Sequence, residues 1–597
     1  MRRLSVRPFA TIALLTCAVA CGDDPPTGAS DVTAPTNVRA TVTGADRVTV
    51  TWTRGSNIVT QRVELETTGE MTRTSAVSAV VTSTDFTGLT SGVTYTATVT
   101  SIGPGGSEAA AAAVSVTVDI PTVSEITGDI LNDMTLTNDR TWLMTGPVFV
   151  GRDVDGASGV PVTLTIDPGT TVLFNTTPPP GTRGSMLVVS RGSRIIADAN
   201  ANRPSGEQSM KPDAADVIVM TSSSDRGSRA RGDWGGLVIN GRAPLNSGAE
   251  ALGEGESGLY GGPDEMDDSG ILRGVRVEFA GDDADTADQL NGIAFQGVGA
   301  GTTVDWIQVH SSVDDGIEPF GGTVSITHVV LTAIGDDSFD GTDGWRGFSQ
   351  YVVIQQFADD ADQGFEISNN GGSEDAVPHT SAIVANATAV GAGTAGGIAA
   401  LGSESGVGVL FREGSNGRLF NNIVTGFREG GLCIENAQTI VNADRRLGGS
   451  TDPDSTLRFE GNILWNNVGT NDDDNFAAAC NGGAAGTFER NRDFFQAAGF
   501  NNVIADPTLP ASAFEVGSMA SPPNVIPTGM PVGYVAFDVS TLNGEPGLVM
   551  PTDGRALVAT TYAGAVAPGT SLADAWYAGW TVWAPDGSDS RPGLGEL

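Results

Sequence analysis

The chain has 597 residues and a formal net charge of −39, because 71 acidic residues outnumber 32 lysines and arginines. Lys211 is the only lysine, so the sequence lacks the basic patches that binding to nucleic acid or to acidic lipid surfaces requires. A content of 80 glycines and 6% aromatic residues indicates many turns and short strands rather than long helices.

The first twenty residues are typical of an export signal. A basic start, formed by Arg2, Arg3 and Arg7, precedes the apolar run Phe9–Ala20, which is shorter than the about 20 residues needed to span a bilayer. The run ends in Ala18-Val19-Ala20-Cys21, which resembles the bacterial lipobox. The resemblance implies that Cys21 becomes the lipid-modified first residue.

Two other cleavage patterns are compatible with this start. Cys17 follows Leu14-Leu15-Thr16, but Thr16 is a poor residue directly before a cut, and an ordinary signal peptide could be cleaved nearby. With Cys21 preferred, we expect a signal peptide over 1–20 and a flexible tether over 21–32. The protein is then exported and attached by a lipid to the bacterial outer membrane or cell surface, with the lipid as its membrane contact.

Residues 33–119 predict a β-sandwich. Val48, Val50 and Trp52 alternate with threonines, which is the pattern of a half-buried strand. The unit resembles a fibronectin type III domain over nearly its whole length, on Pro35, Trp52, Leu89, Tyr95 and the Gly103-Pro104-Gly105-Gly106 turn. The resemblance implies a seven-strand sandwich of about 100 residues, of a kind that usually spaces or binds rather than catalyses.

From residue 121 the sequence becomes repetitive. Asp314-Asp315-Gly316-Ile317-Glu318 recurs 22 residues later as Asp336-Asp337-Ser338-Phe339-Asp340, and after a further 26 as Asp362-Gln363-Gly364-Phe365-Glu366. A looser copy, Asn291-Gly292-Ile293, lies upstream, and Gly431-Leu432-Cys433-Ile434-Glu435 follows later. Apolar β segments separate the copies. A period in the low twenties with β-rich units predicts a solenoid whose turns stack on one another.

The region resembles the right-handed parallel β-helix of bacterial surface lipoproteins, which share the pectin-lyase-like fold. The motifs that carry the resemblance are Gly232-Asp233-Trp234-Gly235-Gly236, the Asp-Gly copies and Gly344-Trp345-Arg346-Gly347, with Trp576-Tyr577-Ala578-Gly579-Trp580 near the C-terminus. The fold class is therefore all-β, with a β-helix over 121–510, an irregular insertion near 440–510 that includes a short helix near 489–498, and a C-terminal region over 511–597 that caps the solenoid end.

In such a solenoid, equivalent residues of successive coils lie about 4.8 Å apart. Ile317, Phe339 and Phe365 should point into the core, so that Glu318, Asp340 and Glu366 point outward and stack. Acidic corners that include Asp314, Asp336 and Asp362 precede them. One Ca²⁺ takes six to eight oxygens and could join two coils. The alternative is a solvated acidic ladder whose aspartates make turns. Asp153-Val154-Asp155-Gly156 is a weaker calcium candidate.

Catalysis is the less favoured function. A hydrolase of this fold type needs several aspartates and a histidine flanked by glycines, and His310, His328 and His379 have no glycine neighbour. A lyase needs a basic proton acceptor, for which Arg346 beside Asp340 and Asp343 is the only tempting arrangement. Because no catalytic set is complete, the sequence favours a surface protein that presents a β-helix face to glycans or to surface or matrix proteins, with a polysaccharide lyase or hydrolase as the alternative.

Four cysteines are present. If Cys21 is acylated, Cys433 and Cys480 are left as the one possible intrachain disulfide of the mature chain, which an exported protein permits. Two buried free thiols are the alternative, because spacing alone does not fix disulfide geometry.

Overall fold

The computed structural model describes residues 32–597 apart from 45–46, 69–70, 91, 119–121, 157–158, 178–183, 205, 282–288, 358, 394–405, 469–474, 478–486 and 515–521. Cys21 and Cys480 lie outside the described residues. The chain divides into two compact units, with the boundary between Val118 and Asp119.

The first unit consists of two small sheets. Its strands are β1 Thr36–Gly44, β2 Arg47–Thr53, β3 Thr60–Glu66, β4 Arg73–Ser78, β5 Ser83–Phe86, β6 Val93–Ile102, β7 Glu108–Ala110 and β8 Val114–Val118. One sheet has the order β1-β2-β5, and in the other β3 and β6 pair at the centre. Trp52, Leu89 and Tyr95 are buried in the core. The Tyr95 hydroxyl accepts a hydrogen bond from the Thr90 N–H at 2.9 Å, which is the tyrosine corner of this sandwich class.

The second unit is built from short strands. In its first part they are β9 Thr122–Thr127, β10 Met134–Leu136, β11 Arg140–Thr145, β12 Pro147–Val150, β13 Thr163–Ile166, β14 Thr171–Phe174, β15 Met186–Val189, β16 Arg194–Asp198, β17 Ile218–Ser222, β18 Leu237–Asn240, β19 Ala251–Leu252 and β20 Leu259–Tyr260.

Longer strands follow. They are β21 Gly270–Ala280, β22 Ile293–Gln296, β23 Thr303–Ser312, β24 Ile317–Phe320, β25 Ser325–Thr332, β26 Phe339–Gly341, β27 Phe348–Gln355, β28 Phe365–Ser368, β29 Ile383–Val390, β30 Val409–Arg412, β31 Arg418–Phe420, β32 Ile423–Thr425, β33 Cys433–Ile434, β34 Arg458–Glu460, β35 Ile463–Trp465 and β36 Val503–Ile504.

These strands form a parallel β-helix. A nine-stranded sheet has the order β12-β15-β18-β22-β24-β26-β28-β30-β33. The strands between them belong to a 17-stranded sheet, except for β19 and β20, which pair only with each other. Each strand of the nine-stranded sheet is followed by one long strand or two short ones of the 17-stranded sheet. β29 shows the equivalence, because it pairs with both β31 and β32. The long strands therefore bend around two sides of the solenoid, and the nine-stranded sheet forms the third.

The register confirms the predicted repeats. Ile317 pairs with Phe339, and Phe339 pairs with Phe365, all in parallel strands. The three side chains are fully buried in one continuous core. The looser copies also fit, since Ile293 pairs with Ile317 and Leu410 pairs with Cys433. The side-chain alternation of a strand then places the neighbours of these core residues outside the core.

The region near 440–510 is less irregular than expected. It contains helix α1 Ala437–Leu447 and helix α2 Thr487–Phe495, of which α2 was predicted and α1 was not. The strands β34, β35 and β36 continue the 17-stranded sheet through the same region. The sequence hides this continuation because each of these strands is only two or three residues long.

The cap expected over 511–597 stays a prediction, but the described parts of that segment, 511–514 and 522–597, also pack on the 17-stranded sheet. Residues 522–597 lie along the outer face of the 17-stranded sheet. Gln308 and Gln350 donate to the carbonyls of Val582 and Val558, respectively, at 2.6 and 2.8 Å. The reason is that this face is apolar. It carries Val219, Trp306, Val330, Val353 and Val390, which pack against Tyr577, Trp580 and Trp583.

Among the described residues, the two α-helices are too short and too polar to cross a membrane.

Candidate metal centre in an acidic recess

The acidic repeats form rows of side chains on the nine-stranded sheet. Each coil contributes an acidic residue at the end of the turn, a second residue directly after it, and a third acidic residue within the strand. The first row is Asp314, Asp336 and Asp362, the second is Asp315, Asp337 and Gln363, and the third is Glu318, Asp340 and Glu366. The third row is fixed by pairing, because Ile317 is opposite Phe339, which places Glu318 beside Asp340, and Asp340 is opposite Glu366. Sequence spacing and coil register thus bring these acids together.

The second row holds the coils in register. The side-chain oxygen of Asn291 accepts from the Asp315 N–H at 3.2 Å, Asp315 accepts from the Asp337 N–H at 3.0 Å, and Asp337 accepts from the Gln363 N–H at 2.7 Å. The Gln363 side chain continues the ladder by accepting from the Val407 N–H at 2.6 Å. One carboxylate oxygen of Asp315 and one of Asp337 therefore hold the next coil through its backbone. The second oxygen of each carboxylate is not part of this ladder.

The three rows line a recess of about 260 Å³. We call it the acidic recess, and its lining residues are Glu254, Asp314, Asp315, Glu318, Asp336, Asp337, Asp340, Asp362, Glu366 and Arg412. All six predicted metal ligands are among them. Glu318, Asp340 and Glu366 point away from the core as expected, but they are only 7%, 8% and 5% exposed. They are therefore not a solvated ladder on an open face.

Two members of the recess could not be found from the repeat. Glu254 belongs to the short 3-10 turn Glu254–Glu256 between β19 and β20, and Arg412 ends β30. They lie about 60 residues before and 45 residues after the acidic repeats in the sequence, and only the stacking of coils brings them near. Asp315 and Asp337 were part of the predicted acidic corners, although not of the predicted ligand set.

Carboxylate oxygens from neighbouring coils approach closely in three groups. Within each group, one oxygen from every member lies within 4.8 Å of the others. The groups are Asp314 with Asp315 and Asp336, Asp315 with Glu318 and Asp340, and Asp336 with Asp337 and Asp362. Glu366 lies beside the second and third groups and is bound by Arg412, whose Nη2 is 2.5 Å from its Oε1.

Positive charge in the recess falls far short of the negative charge. Nine carboxylates and one guanidinium line it. Asn291 adds neutral hydrogen bonds, donating to Glu318 at 2.8 Å and to Glu254 at 3.2 Å. Buried carboxylates are costly unless they are paired, protonated or coordinated to a metal. The recess therefore needs protons or cations in addition to Arg412.

The pKa values of the recess carboxyl groups reflect this shortage of positive charge. Burial, reinforced by neighbouring carboxylates, raises the pKa of Asp314 to about 7 and that of Glu366 to about 8. The Arg412 charge opposes the rise at Glu366, but burial and Asp340 outweigh it. Burial also raises the pKa of Asp340 to about 6 and moves the pKa values of Asp315, Glu318 and Asp337 well above their usual range. Near neutral pH, the cation-free recess retains protons that a bound cation would displace.

The donor set fits a hard divalent cation. Every acidic group in the recess offers oxygen, which Ca²⁺ and Mg²⁺ prefer, whereas zinc and copper sites use imidazole or thiolate. Ca²⁺ takes six to eight oxygens in flexible geometry, and carboxylates from three consecutive coils can supply that number. None of His310, His328 and His379 lines the recess.

Other predicted site residues have different roles. Arg346 was expected beside Asp340 and Asp343, but its Nη2 is 2.7 Å from Glu265 and it does not line the recess. The preceding residue, Trp345, is buried in the core beside Phe339. In the weaker calcium candidate, Asp153-Val154-Asp155-Gly156, Asp153 accepts two hydrogen bonds from the buried Arg191 at 2.8 Å. The Arg191 guanidinium therefore occupies the side of Asp153 at which Ca²⁺ was considered.

Cys433 is buried and disulfide-bonded. The predicted partner, Cys480, and the predicted lipidation site, Cys21, lie outside the described residues.

Comparison with known proteins identifies both units. The family model of the fibronectin type III domain matches residues 33–117, and that of the pectate-lyase-like beta helix domain matches residues 128–452. No curated protein matches the chain.

Solved structures similar to part of the chain include two fibronectin domains. The FN5 domain of Drosophila Lar is 19% identical, over 15% of this chain and 98% of that one, with a TM-score of 0.14. A domain of human collagen XX is 20% identical, over 16% of this chain and 99% of that one, with a TM-score of 0.14. The β-helix model covers more than half of the sequence, and the chain therefore belongs to the pectate-lyase-like β-helix family.

Proposed function

We propose that this protein is an exported, lipid-anchored bacterial surface protein that binds Ca²⁺ in the acidic recess and presents that face of the β-helix to glycans. The observation that carries the proposal is the recess itself, with nine carboxylates from successive coils around a single arginine. A fibronectin type III unit followed in the sequence by a pectate-lyase-like β-helix is consistent with a glycan-related surface protein.

Calcium has a structural and a binding role in this proposal. It neutralises stacked carboxylates that burial makes costly, and so joins coils that would otherwise repel. A cation held by several carboxylates can also keep a coordination position for an oxygen of a ligand. The surrounding acids then select against anionic ligands that do not reach the cation.

Titration calorimetry with Ca²⁺ tests the proposal. We expect saturable binding by the full-length protein, and proton release that depends on the buffer, because the recess carboxylates must lose protons. Glu318→Gln should weaken binding strongly. Glu207→Gln is the matched control, since Glu207 is exposed and distant in sequence from the repeats. Equal binding by the two variants, or none by the wild type, would contradict the proposal.

A carbohydrate-active enzyme is the second candidate, favoured by the burial of several carboxyl groups in the acidic recess. Raised carboxyl pKa values in a concave site, about 7 for Asp314 and about 8 for Glu366, suit a general acid at neutral pH. Arg346 is not its base, because it pairs with Glu265 outside the recess. Incubation with polygalacturonate and with neutral polysaccharides distinguishes the two. Shortening of a polymer by the wild type but not by Glu318→Gln would replace the binding function with the enzyme.

A further inference from the structure

The end of the chain, residues 580–597, lies on the outer face of β21 and β23, and we call it the C-terminal strap. Side chains of these two strands hold its backbone. Arg276 donates to the Trp580 carbonyl at 2.9 Å, and Gln308 donates to the Val582 carbonyl at 2.6 Å and accepts from the Val582 N–H at 2.9 Å. Because none of residues 580–597, all of which the structure describes, belongs to a strand, the strap can open locally while the β-helix stays folded.

His310 provides a third contact between the sheet and the strap. Its Nε2 lies 3.0 Å from the Ala584 carbonyl, and its Nδ1 lies 2.7 Å from the Thr332 hydroxyl. A carbonyl can only accept, so Nε2 carries the hydrogen, and in the neutral ring Nδ1 accepts from Thr332. The ring is fully buried and makes T-shaped contacts with Phe279 and Phe357, at centroid distances of 5.4 and 6.2 Å. The interface therefore satisfies both nitrogens of a neutral histidine.

The acid beside His310 in the sheet is already paired. Glu278 lies opposite His310 in the parallel pairing of β21 and β23, and it is also fully buried. It accepts from Arg276 at 2.8 Å, lies 3.9 Å from Arg229 and accepts from the Ser590 hydroxyl of the strap. Although burial opposes them, the two arginines hold the pKa of Glu278 below its usual range. Glu278 therefore stays ionised, within its own ion pairs, at the pH values at which histidine titrates.

The other groups that face His310 also favour the neutral ring. Asp589 of the strap accepts from two backbone N–H groups of the strap, at 2.7 and 3.2 Å. Arg231 adds a positive charge near the ring. In the next two coils, the residues in register with His310 are the neutral Thr332 and Gln355. Burial therefore lowers the pKa of His310, because it outweighs the opposing carbonyl and carboxylates, and Arg231 adds to the shift.

From this geometry we infer that His310 is an acid-sensitive latch, which holds the C-terminal strap on the sheet while it is neutral and releases the strap once it is protonated. The latch lies on the 17-stranded sheet and does not depend on the proposed function. In the open state the ring is solvated and titrates near pH 6.5, whereas in the docked state its charge would be buried. Below about pH 6.5 the open state binds more protons than the docked state, so attachment is strongest above this pH and weakens as the pH falls.

The acidic recess titrates in the same range with the opposite effect. Burial raises the pKa values of Asp340, Asp314 and Glu366, so these groups keep protons in the folded state and acid strengthens the fold there. Loss of a bound cation at low pH would imitate loosening of the strap, so the measurement is made in a chelator. Loosening of the strap on acidification under that condition then reports a histidine rather than these carboxyl groups.

Hydrogen exchange of the full-length protein, read by mass spectrometry on peptides of the strap, tests the latch. The exchange rates are corrected for the intrinsic effect of pH. Between pH 7.5 and pH 5.5 we expect the protection of the strap to fall by up to about tenfold, the effect of one histidine that titrates near pH 6.5 only when the strap is open. Peptides from β27 and β29 should keep their protection.

His310→Gln retains an N–H donor for the Ala584 carbonyl but does not titrate, so its strap should stay protected at pH 5.5. His328→Gln and His379→Gln are the matched controls, since these are the other two histidines of the chain, and both should keep the pH dependence of the wild type. A pH dependence that persists in His310→Gln, or that disappears in either control, would overturn the inference.

The wild-type profile decides the matter if His310→Gln loosens the strap at every pH. Loss of protection that begins below about pH 6.5 supports the latch, because histidine titrates there. Loss that begins only below about pH 4.5 is the behaviour of carboxylates and would show that His310 has no part in the release.

Discussion

Asp340 and Glu366 are direct partners on adjacent parallel strands, and both are less than 10% exposed. Two carboxylates stacked at the inter-strand distance of about 4.8 Å repel each other if both are ionised. Among the described residues that line the recess, Arg412 is the one basic group, and it pairs with Glu366. The pair therefore couples the stability of the coil stack to protons and to cations.

Calcium should stabilise the folded protein. A ligand that binds only the folded state adds about 2.7 kcal/mol at one hundred times its dissociation constant, so the melting temperature should rise with Ca²⁺ and fall with a chelator. Mg²⁺ should do less, because it demands a tighter octahedral site. Equal effects of the two ions would indicate general screening of an acidic surface. Glu207→Gln should melt like the wild type in both conditions.

Without calcium, stability should decrease as the pH rises. Unfolded carboxyl groups titrate near pH 4, whereas folded Asp340, Asp314 and Glu366 have pKa values of about 6, 7 and 8. Between these limits the folded recess binds more protons than the unfolded chain, so its contribution to the free energy of unfolding falls from about pH 4 to about pH 8. Urea unfolding with a chelator across this range measures the slope.

Two comparisons control the pH experiment. Glu366→Gln should flatten the upper part of the curve, since Glu366 has the highest of these three pKa values. Saturating calcium should reduce the slope in the wild type, because the bound ion favours the deprotonated carboxylates. A free energy of unfolding that rises through pH 6–8 in the chelator would refute the assignment of buried, protonated acids.

Phe339→Ala should destabilise the β-helix by about 3–5 kcal/mol, the usual cost of removing a fully buried phenylalanine. Phe339 is 0% exposed and lies between Ile317 and Phe365 in the stack, with Trp345 packed beside it. Val532→Ala, at a fully exposed position, is the control and should have almost no effect. Denaturant unfolding followed by intrinsic fluorescence measures both. A loss below about 1 kcal/mol for Phe339→Ala would contradict its place in the core.

The stack around Phe339 was predictable because core positions in a solenoid repeat at the coil length, so spacings of 22 and 26 residues gave the register directly. The burial of Glu318, Asp340 and Glu366 was not predictable. It depends on the recess that Glu254 and Arg412 help to line, and those two residues are remote in sequence. The sheet face on which the C-terminal segment packs was not predictable either, because the sequence of Trp580 and Trp583 indicates burial but not the face against which they are buried.

Cys21→Ser should release the protein from membranes or leave its signal peptide uncleaved. The thioether-linked lipid requires the cysteine sulfur, and no lipid can attach to serine in this way. Fractionation and the mass of the mature N-terminus measure the outcome. Cys17→Ser serves as the control, and it should leave anchoring intact. Normal processing and membrane association of Cys21→Ser, or their loss in Cys17→Ser, would refute the preferred site.

The C-terminal segment should depend on a buried ion pair for its attachment. Arg418 is fully buried on β31, and its Nη1 donates to Glu545 of that segment at 2.9 Å, while its Nε and Nη2 donate to the Ser381 carbonyl. Burial lowers the pKa of Arg418 to about 10, so it stays charged at neutral pH. Glu545→Gln leaves that charge without its carboxylate. Because Glu545 is partly exposed, we expect the free energy of unfolding to fall by about 1–3 kcal/mol, less than for a fully buried pair.

Limited proteolysis of Glu545→Gln should then cut the segment sooner than in the wild type, whereas Glu207→Gln should not change the rate. Unchanged stability and proteolysis of Glu545→Gln would show that apolar contacts alone hold the segment on the sheet.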